Sequence, residues 1–145
     1  MTSIHPYLTF NGDCEAAFTL YKGIFGGDFQ TLSRFGEMPP DPEYPVSEED
    51  RDLIMHVSLP IGDHSVLMGS DTSENFGHKA VAGSNFSISI NVEKRDKADE
   101  IFKKLSDKGY VIMPMADTFW ESYFGMCKDR FGIQWMVSAE HSKSK

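Results

Sequence analysis

The chain has 145 residues, and its composition of 40% hydrophobic, 25% charged and 12% aromatic residues is typical of one globular domain. Its 14 Lys and Arg are outnumbered by 22 Asp and Glu, giving a net charge of −8, so it lacks the basic surface with which proteins bind DNA or RNA. No apolar run approaches the roughly 20 residues that cross a bilayer, and the first residues lack a secretory pattern, so we expect a cytoplasmic protein without a membrane partner.

The first half of the sequence predicts one helix among four strands. Residues 7–10 alternate in polarity, and residues 11–13 form a turn and helix cap. Residues 14–25 have apolar side chains at helical spacing and stop at the glycines 26–27. The following strands are predicted at residues 28–34, 52–59 and 64–69, the last two joined by a turn at 60–63.

Residues 37–52 interrupt this pattern with prolines and acidic side chains. The prolines are Pro39, Pro40, Pro42 and Pro45. They exclude a central strand, and the acidic residues predict a surface position. Two interpretations stay open, a solvated loop and a lid over a pocket.

The second half repeats the first. Residues 86–92 alternate as a strand, and residues 97–108 predict an amphipathic helix that ends at Gly109. Further strands are predicted at residues 110–113, 119–127 and 133–138. Residues 72–83 contain small and turn-forming residues and predict a linker.

The sequence therefore predicts an α+β fold made of two tandem β-α-β-β-β modules. The modules cover about residues 1–71 and 84–139, within a single domain spanning 1–145. One helix can cover only one face of its sheet, so the other face stays open. We expect the two curved sheets to surround a concave ligand cavity.

The cysteines indicate a reducing compartment. There are two, Cys14 and Cys127, with no CxxC pair and no spacing typical of zinc sites. We expect two unpaired thiols, since a domain of this size needs no disulfide.

Alternation along residues 53–59 directs His56 away from the helices and into the cavity. His56 is either a satisfied polar residue or a group that contacts the ligand. Trp120 lies in an aromatic cluster and either lines the pocket or packs in the core, whereas Trp135 is expected in the core. The remaining histidines outside the first strand, which we expect to be solvated or beside a turn, are His64, His78 and His141.

The sequence resembles the vicinal oxygen chelate superfamily, which includes glyoxalases, ring-cleaving dioxygenases and bleomycin-resistance proteins. The resemblance begins with the motif at residues 11–17 that leads to Tyr21 and Gly26. Within this superfamily the sequence looks like the PhnB-like branch, and the segments that carry this likeness are residues 54–56, 61–63, 119–120 and 129–135. The domain of that branch is named after 3-demethylubiquinone methyltransferase. The resemblance implies paired β-α-β-β-β modules and a homodimer, but no single activity.

Metal enzymes of this superfamily carry His and Glu ligands on the first, fourth, fifth and eighth strands. By resemblance, the last two positions fall on Ser87 and Met136, and the fourth-strand position falls on Met68 or Leu67. On the first strand, His5 faces inward if the turn is one residue longer, and Pro6 does so otherwise. We favour His5, because that register packs the strand's apolar residues against the helix. One histidine does not hold a catalytic metal, so we expect no metal and no cofactor.

We therefore predict a small organic ligand bound near His5, His56, Met68, Ser87, Trp120 and Met136. The alternative is a metal-dependent lyase, isomerase or dioxygenase using His5, His56 and a carboxylate such as Asp71 or Glu121. A methyltransferase would need a glycine-rich loop between a strand and a helix, but the adjacent glycines 26–27 follow a helix.

Overall fold

The structure, a computed structural model, describes residues 2–39, 41–43 and 45–140. The chain divides into two compact units, Met1–Val81 and Ala82–Lys145. Each unit has one four-stranded sheet and one long helix.

The first unit has the strand order β1-β4-β3-β2. Its outer strand β1 runs parallel to β4, and the other pairs are antiparallel. The elements are β1 Tyr7–Phe10, α1 Cys14–Phe25, β2 Thr31–Arg34, β3 Ile54–Ile61 and β4 Ser65–Asp71. Short 3-10 helices occupy Phe35–Glu37, Glu48–Asp50 and Glu74–Phe76.

The second unit repeats this topology with the order β5-β8-β7-β6, β5 and β8 being parallel. Its elements are β5 Ile88–Val92, α2 Arg95–Ser106, β6 Tyr110–Asp117, β7 Ser122–Lys128 and β8 Gln134–Glu140. Two mixed sheets with one helix each confirm the predicted α+β fold.

Each helix covers one face of its own sheet. The buried face of α1 consists of Cys14, Ala17, Phe18, Tyr21 and Ile24, and that of α2 of Ala98, Ile101, Phe102 and Leu105. Alternate residues of the strands, among them Leu8, Phe10, Leu59, Leu67, Trp135 and Val137, are buried with them. Burial of this apolar surface is the main stabilising contribution in each unit. We call the opposite side of each sheet its open face.

Several predicted boundaries are wrong by a few residues. The helix expected at 97–108 is Arg95–Ser106, and the strand expected at 28–34 begins only at Thr31. Strand β3 continues through Pro60. This proline lies beyond Ser58, which pairs with Thr31, the first residue of β2. The missing N–H of Pro60 therefore costs no bond to β2.

Strand alternation near the start of β3 is also irregular. The pairing with β2 shifts between Ser33 and Arg34. As a result Ile54 is buried, whereas Met55, which regular alternation along residues 53–59 would place against the helix, is only half-buried. Beyond this shift Val57 and Leu59 are buried as predicted.

The 37–52 insertion contains no strand in its described part, but one acidic residue is not at the surface as predicted. Asp50 is only 4% exposed and accepts hydrogen bonds from Asn75 Nδ2 at 2.9 Å, Ser47 Oγ at 2.9 Å and Ser73 Oγ at 3.1 Å. The Asn75 amide, helped by the two hydroxyls, holds the pKa of Asp50 below its usual range. These bonds join the insertion to the segment after β4.

Candidate functional site

The open face of the first sheet has a row of side chains across all four strands. Tyr7 of β1 pairs with Met68, Met68 with Ser58, and Ser58 with Thr31. Tyr7 and Thr31 are exposed, Met68 is half-buried and Ser58 is buried. Leu67, the other candidate fourth-strand position, is buried on the helix side, so Met68 is the residue on the open face.

His56 lies beside this row and contacts Tyr7. Its Nδ1 is 3.2 Å from the Tyr7 hydroxyl, and the two rings stack at 5.7 Å with an interplanar angle of 29°. In the described part of the chain, no hydrogen bond reaches Nε2 of His56. The first-strand register that we favoured, with His5 facing inward, implies that Tyr7 lies on this side, but its role as the partner of His56 was not predicted.

His5 precedes β1 and has a different environment. It is half-buried, and its Nδ1 accepts a hydrogen bond from the Val66 N–H at 3.3 Å. On β1 itself Tyr7 and Thr9 are exposed and Leu8 and Phe10 buried, which is the alternation of the favoured register.

Asp71 holds backbone groups and has little capacity left for a metal. It is 4% exposed, and its Oδ1 accepts from the N–H groups of Gly12 and Cys14 at 3.0 and 2.9 Å. Its Oδ2 accepts from the Ile54 N–H at 2.9 Å. The bond to Cys14 also places the carboxylate at the N-terminus of α1, where the helix dipole favours negative charge. The other carboxylate considered, Glu121, is an exposed turn residue of the second unit with φ 64°.

Within residues 2–39, 41–43 and 45–140, no three His, Cys, Asp or Glu side chains lie where they could hold a metal ion together. The positions that correspond by resemblance to the superfamily's metal ligands supply one imidazole, one hydroxyl and two thioethers, those of His5, Ser87, Met68 and Met136. Imidazole ligands suit Zn²⁺, Ni²⁺ and Fe²⁺ and carboxylates suit Mn²⁺ and Mg²⁺, whereas thioethers are soft ligands. The donor set therefore does not fit the metal that the superfamily implies.

The open face of the second sheet is lined by methionine. Met136 of β8 lies between Ser89 of β5 and Met126 of β7, and Met126 pairs with Met113 of β6. Ser87 precedes β5, and its Oγ accepts from Gln134 Nε2 at 2.8 Å. The strand neighbour of Met136 is thus Ser89 and not Ser87. Ser87 lies two residues earlier in the chain, beside Gln134. Met126 and Met113 were missed, although alternation along β7 places Met126 on this side.

Trp120 is not part of a strand, contrary to the predicted span 119–127. It lies in the turn before β7, is 55% exposed and makes edge contacts with the rings of Phe119 at 5.0 Å and Phe124 at 6.1 Å. Core packing is therefore wrong for Trp120. Trp135 is fully buried and its Nε1 donates to Asp129 Oδ2 at 2.9 Å, which confirms its core position.

The surroundings of the two cysteines and of the described histidines His64 and His78 do not indicate a reactive group. Both thiols are free and buried, and burial raises the pKa of each, that of Cys127 to about 12. His64 is exposed, and exposed His78 lies with Nε2 3.4 Å from Thr72 Oγ1. His141 lies outside the described residues.

A cleft of about 350 Å³ lies beside the insertion. It is lined by Phe35, Met38, Pro39, Asp41, Pro42, Pro45, Val46 and Arg51. None of the predicted site residues lines this cleft, so the role of the insertion as a lid stays a prediction.

None of the helices within the described residues is long and apolar enough to span a membrane.

Comparison with known proteins connects this geometry to a family. The sequence model of the family described as 3-demethylubiquinone-9 3-methyltransferase matches residues 2–138. The chain is 37% identical to protein PA1353 from Pseudomonas aeruginosa, whose crystal structure superposes with a TM-score of 0.85 over 98% of this chain and 100% of that one.

More distant structures share the fold. The PhnB protein from Bacillus cereus is 22% identical, with a TM-score of 0.75 over 95% of this chain and 99% of that one. A glyoxalase/bleomycin resistance protein/dioxygenase family enzyme from Burkholderia phytofirmans is 14% identical, with a TM-score of 0.58 over 92% and 96% of the two chains. The chain therefore shares the fold of these glyoxalase/bleomycin resistance-type proteins.

Proposed function

Since the chain belongs to the family described as 3-demethylubiquinone-9 3-methyltransferase, within the glyoxalase/bleomycin-resistance fold, we propose that it binds a small organic molecule on an open sheet face without a divalent metal. The match over residues 2–138 supports the view that both modules belong to one domain. The proposal assigns no reaction, because this fold serves many activities.

The observation that carries the proposal is the His56–Tyr7 pair. The Tyr7 hydroxyl engages Nδ1 and stacking fixes the ring, so Nε2 of His56 has a defined position on the open face. A pocket of this kind typically combines apolar surface with a few oriented polar groups. Met68 supplies adaptable apolar surface in the same row, and His5 lies at the start of the adjoining strand.

In the second unit the proposal assigns apolar contact to Met136 and Trp120, and a polar contact to the Ser87–Gln134 pair. The Trp120 ring makes edge contacts with Phe119 and Phe124 and is still 55% exposed, which leaves aromatic surface for a ligand. A protein with two buried, free thiols is suited to a reducing compartment, so we also propose a cytoplasmic location.

A thermal-shift screen of small organic compounds tests the function. We expect hits, and we expect His56→Ala or Trp120→Ala to weaken them, through a lost hydrogen bond or lost ring contact respectively. His64→Ala is the matched control, since that histidine is exposed at the turn before β4. Hits that bind all four proteins equally would place the ligand away from both open faces.

The alternative function is a metal-dependent lyase, isomerase or dioxygenase that uses His5 and His56, the two histidines near the first open face. The proposed function predicts instead that Ni²⁺, Zn²⁺ and Mn²⁺ neither bind stoichiometrically nor raise the melting temperature. A metal at a thousandfold excess over its Kd would stabilise the fold by about 4 kcal/mol, which a thermal scan detects. A stabilisation that His5→Ala abolishes would establish the alternative.

The family description names a methyltransferase, but we propose no such activity for this chain. S-adenosylmethionine is commonly held by a glycine-rich loop between a strand and a helix. The adjacent glycines Gly26 and Gly27 follow α1 instead. A titration that shows tight, stoichiometric binding of S-adenosylmethionine would contradict this view.

We further propose a homodimer. The edge strand β6 exposes apolar side chains, including Tyr110, Val111 and Met113 at 62%, 48% and 44%. An exposed apolar edge favours association, and identical chains commonly pair about a two-fold axis. Light scattering at micromolar concentration should give about twice the chain mass of 16.3 kDa, and the monomer mass would contradict the proposal.

A further inference from the structure

The open face of the second sheet has a thioether surface at its centre. Met136, Met126 and Met113 lie opposite one another on three neighbouring strands. Met136 and Met126 are half-buried, and Met113 is 44% exposed. Thioethers are polarisable and make favourable contacts with aromatic rings, so this centre suits a flat aromatic group.

Aromatic residues extend the apolar surface at one end. Phe124 lies two residues before Met126 on β7, on the same side of the sheet, and pairs with Ser138. The Trp120 ring contacts Phe124 at 6.1 Å, and Phe119 contacts Trp120 at 5.0 Å. The apolar surface therefore runs from the methionines to these rings.

A cation lies at the other end. Lys128 is two residues beyond Met126, also on the open face, and pairs with Gln134. It is half-buried, and among the described residues no carboxylate forms an ion pair with it. Glu140, by contrast, is at the opposite end of β8, beside Ser122. The face is thus positive at the Lys128 end and negative at the Glu140 end.

We propose that the ligand on this face is an aromatic acid whose carboxylate pairs with Lys128 and whose ring system lies on Met126 and Met136. This inference rests on the proposed function and names the ligand class for the second open face. Two residues of a strand span about 6.7 Å and four about 13 Å, so one ring fits between Lys128 and the methionines and a second reaches towards Phe124. A carboxylate would supply the ion-pair partner that the half-buried Lys128 lacks.

Biphenyl-4-carboxylate is a probe of these dimensions, and biphenyl-4-carboxamide is its neutral counterpart. We expect the acid to bind wild-type protein about fivefold more tightly than the amide, the contribution of one partly exposed ion pair. Calorimetry measures both affinities. In a sample with ¹³C-labelled methionine methyl groups, both probes should shift the signals of Met113, Met126 and Met136, and leave those of Met38 and Met55 unchanged.

Lys128→Gln should remove the preference for the acid while leaving the affinity for the amide unchanged. Lys103→Gln on the exposed side of α2 is the matched control and should keep the preference. Lys128 pairs with Tyr110 of β6 and Gln134 of β8 through its backbone, which the substitution keeps. The fold of the variant is therefore expected to be intact, and its melting temperature checks this. Met126→Ala should weaken both probes.

Equal affinity for acid and amide, or an acid preference that survives Lys128→Gln, would overturn the inference. Binding of neither probe at millimolar concentration would also overturn it. Hits in the general screen that depend on His56 or Trp120 would still support the proposed function in each of these cases, so the two proposals fail separately.

Discussion

Replacing Asp71 with alanine is expected to destabilise the protein by about 3 to 5 kcal/mol, the largest effect of any single carboxylate in the first unit. The buried carboxylate accepts three backbone N–H groups, from Gly12, Cys14 and Ile54, all within 3.0 Å. Alanine would leave these donors without their partner in a region that water reaches poorly, and α1 would lose the negative charge at its N-terminus.

Urea unfolding measures this effect, with Asp71→Asn as an intermediate case, since it retains one acceptor oxygen. Asp63→Ala is the control, because that carboxylate is exposed in the turn before β4 and its removal should change stability by about 0.5 kcal/mol or less. A loss below about 1 kcal/mol for Asp71→Ala would show that water replaces the carboxylate readily.

The two tryptophans are expected to differ strongly in how much stability their truncation costs. Trp135→Ala should cost about 3 to 5 kcal/mol, because the ring is fully buried and Asp129 would lose the indole N–H. Trp120→Ala should cost about 1 kcal/mol or less, because the ring is 55% exposed in a turn.

Unfolding of both variants in urea, followed by circular dichroism, compares them directly. Trp135→Phe keeps a smaller aromatic ring in the core and removes the bond to Asp129, so its stability should lie between those of wild type and Trp135→Ala. If Trp120→Ala unfolds the protein while ligand affinity per folded molecule is unchanged, Trp120 is structural and the ligand lies elsewhere.

The overall fold could be predicted because local signals agreed with one another. Helical spacing in residues 14–25 and the glycine stop gave the observed helix Cys14–Phe25, and alternation gave the strand Tyr7–Phe10. The recurrence of this order in the second half then indicated two modules. Because these local patterns agree with one another, the tertiary contacts are compatible with the predicted helices and strands.

The remaining details depend on contacts between segments distant in sequence. Asp50 is buried because Ser73 and Asn75 supply its hydrogen bonds, and no local pattern reports them. Trp120 lies in a turn whose next residue, Glu121, has a positive φ, an unusual conformation for a residue other than glycine. The pairing of His56 with Tyr7 likewise joins two residues that are 49 positions apart in sequence.

A crystal structure of the protein purified and crystallised without added ligands or chelators tests the central claim most directly. We expect density for a small organic molecule on an open sheet face, in contact with His56 or with Met126 and Met136. A divalent ion held by His5 and His56, identified by its anomalous scattering, would contradict the account.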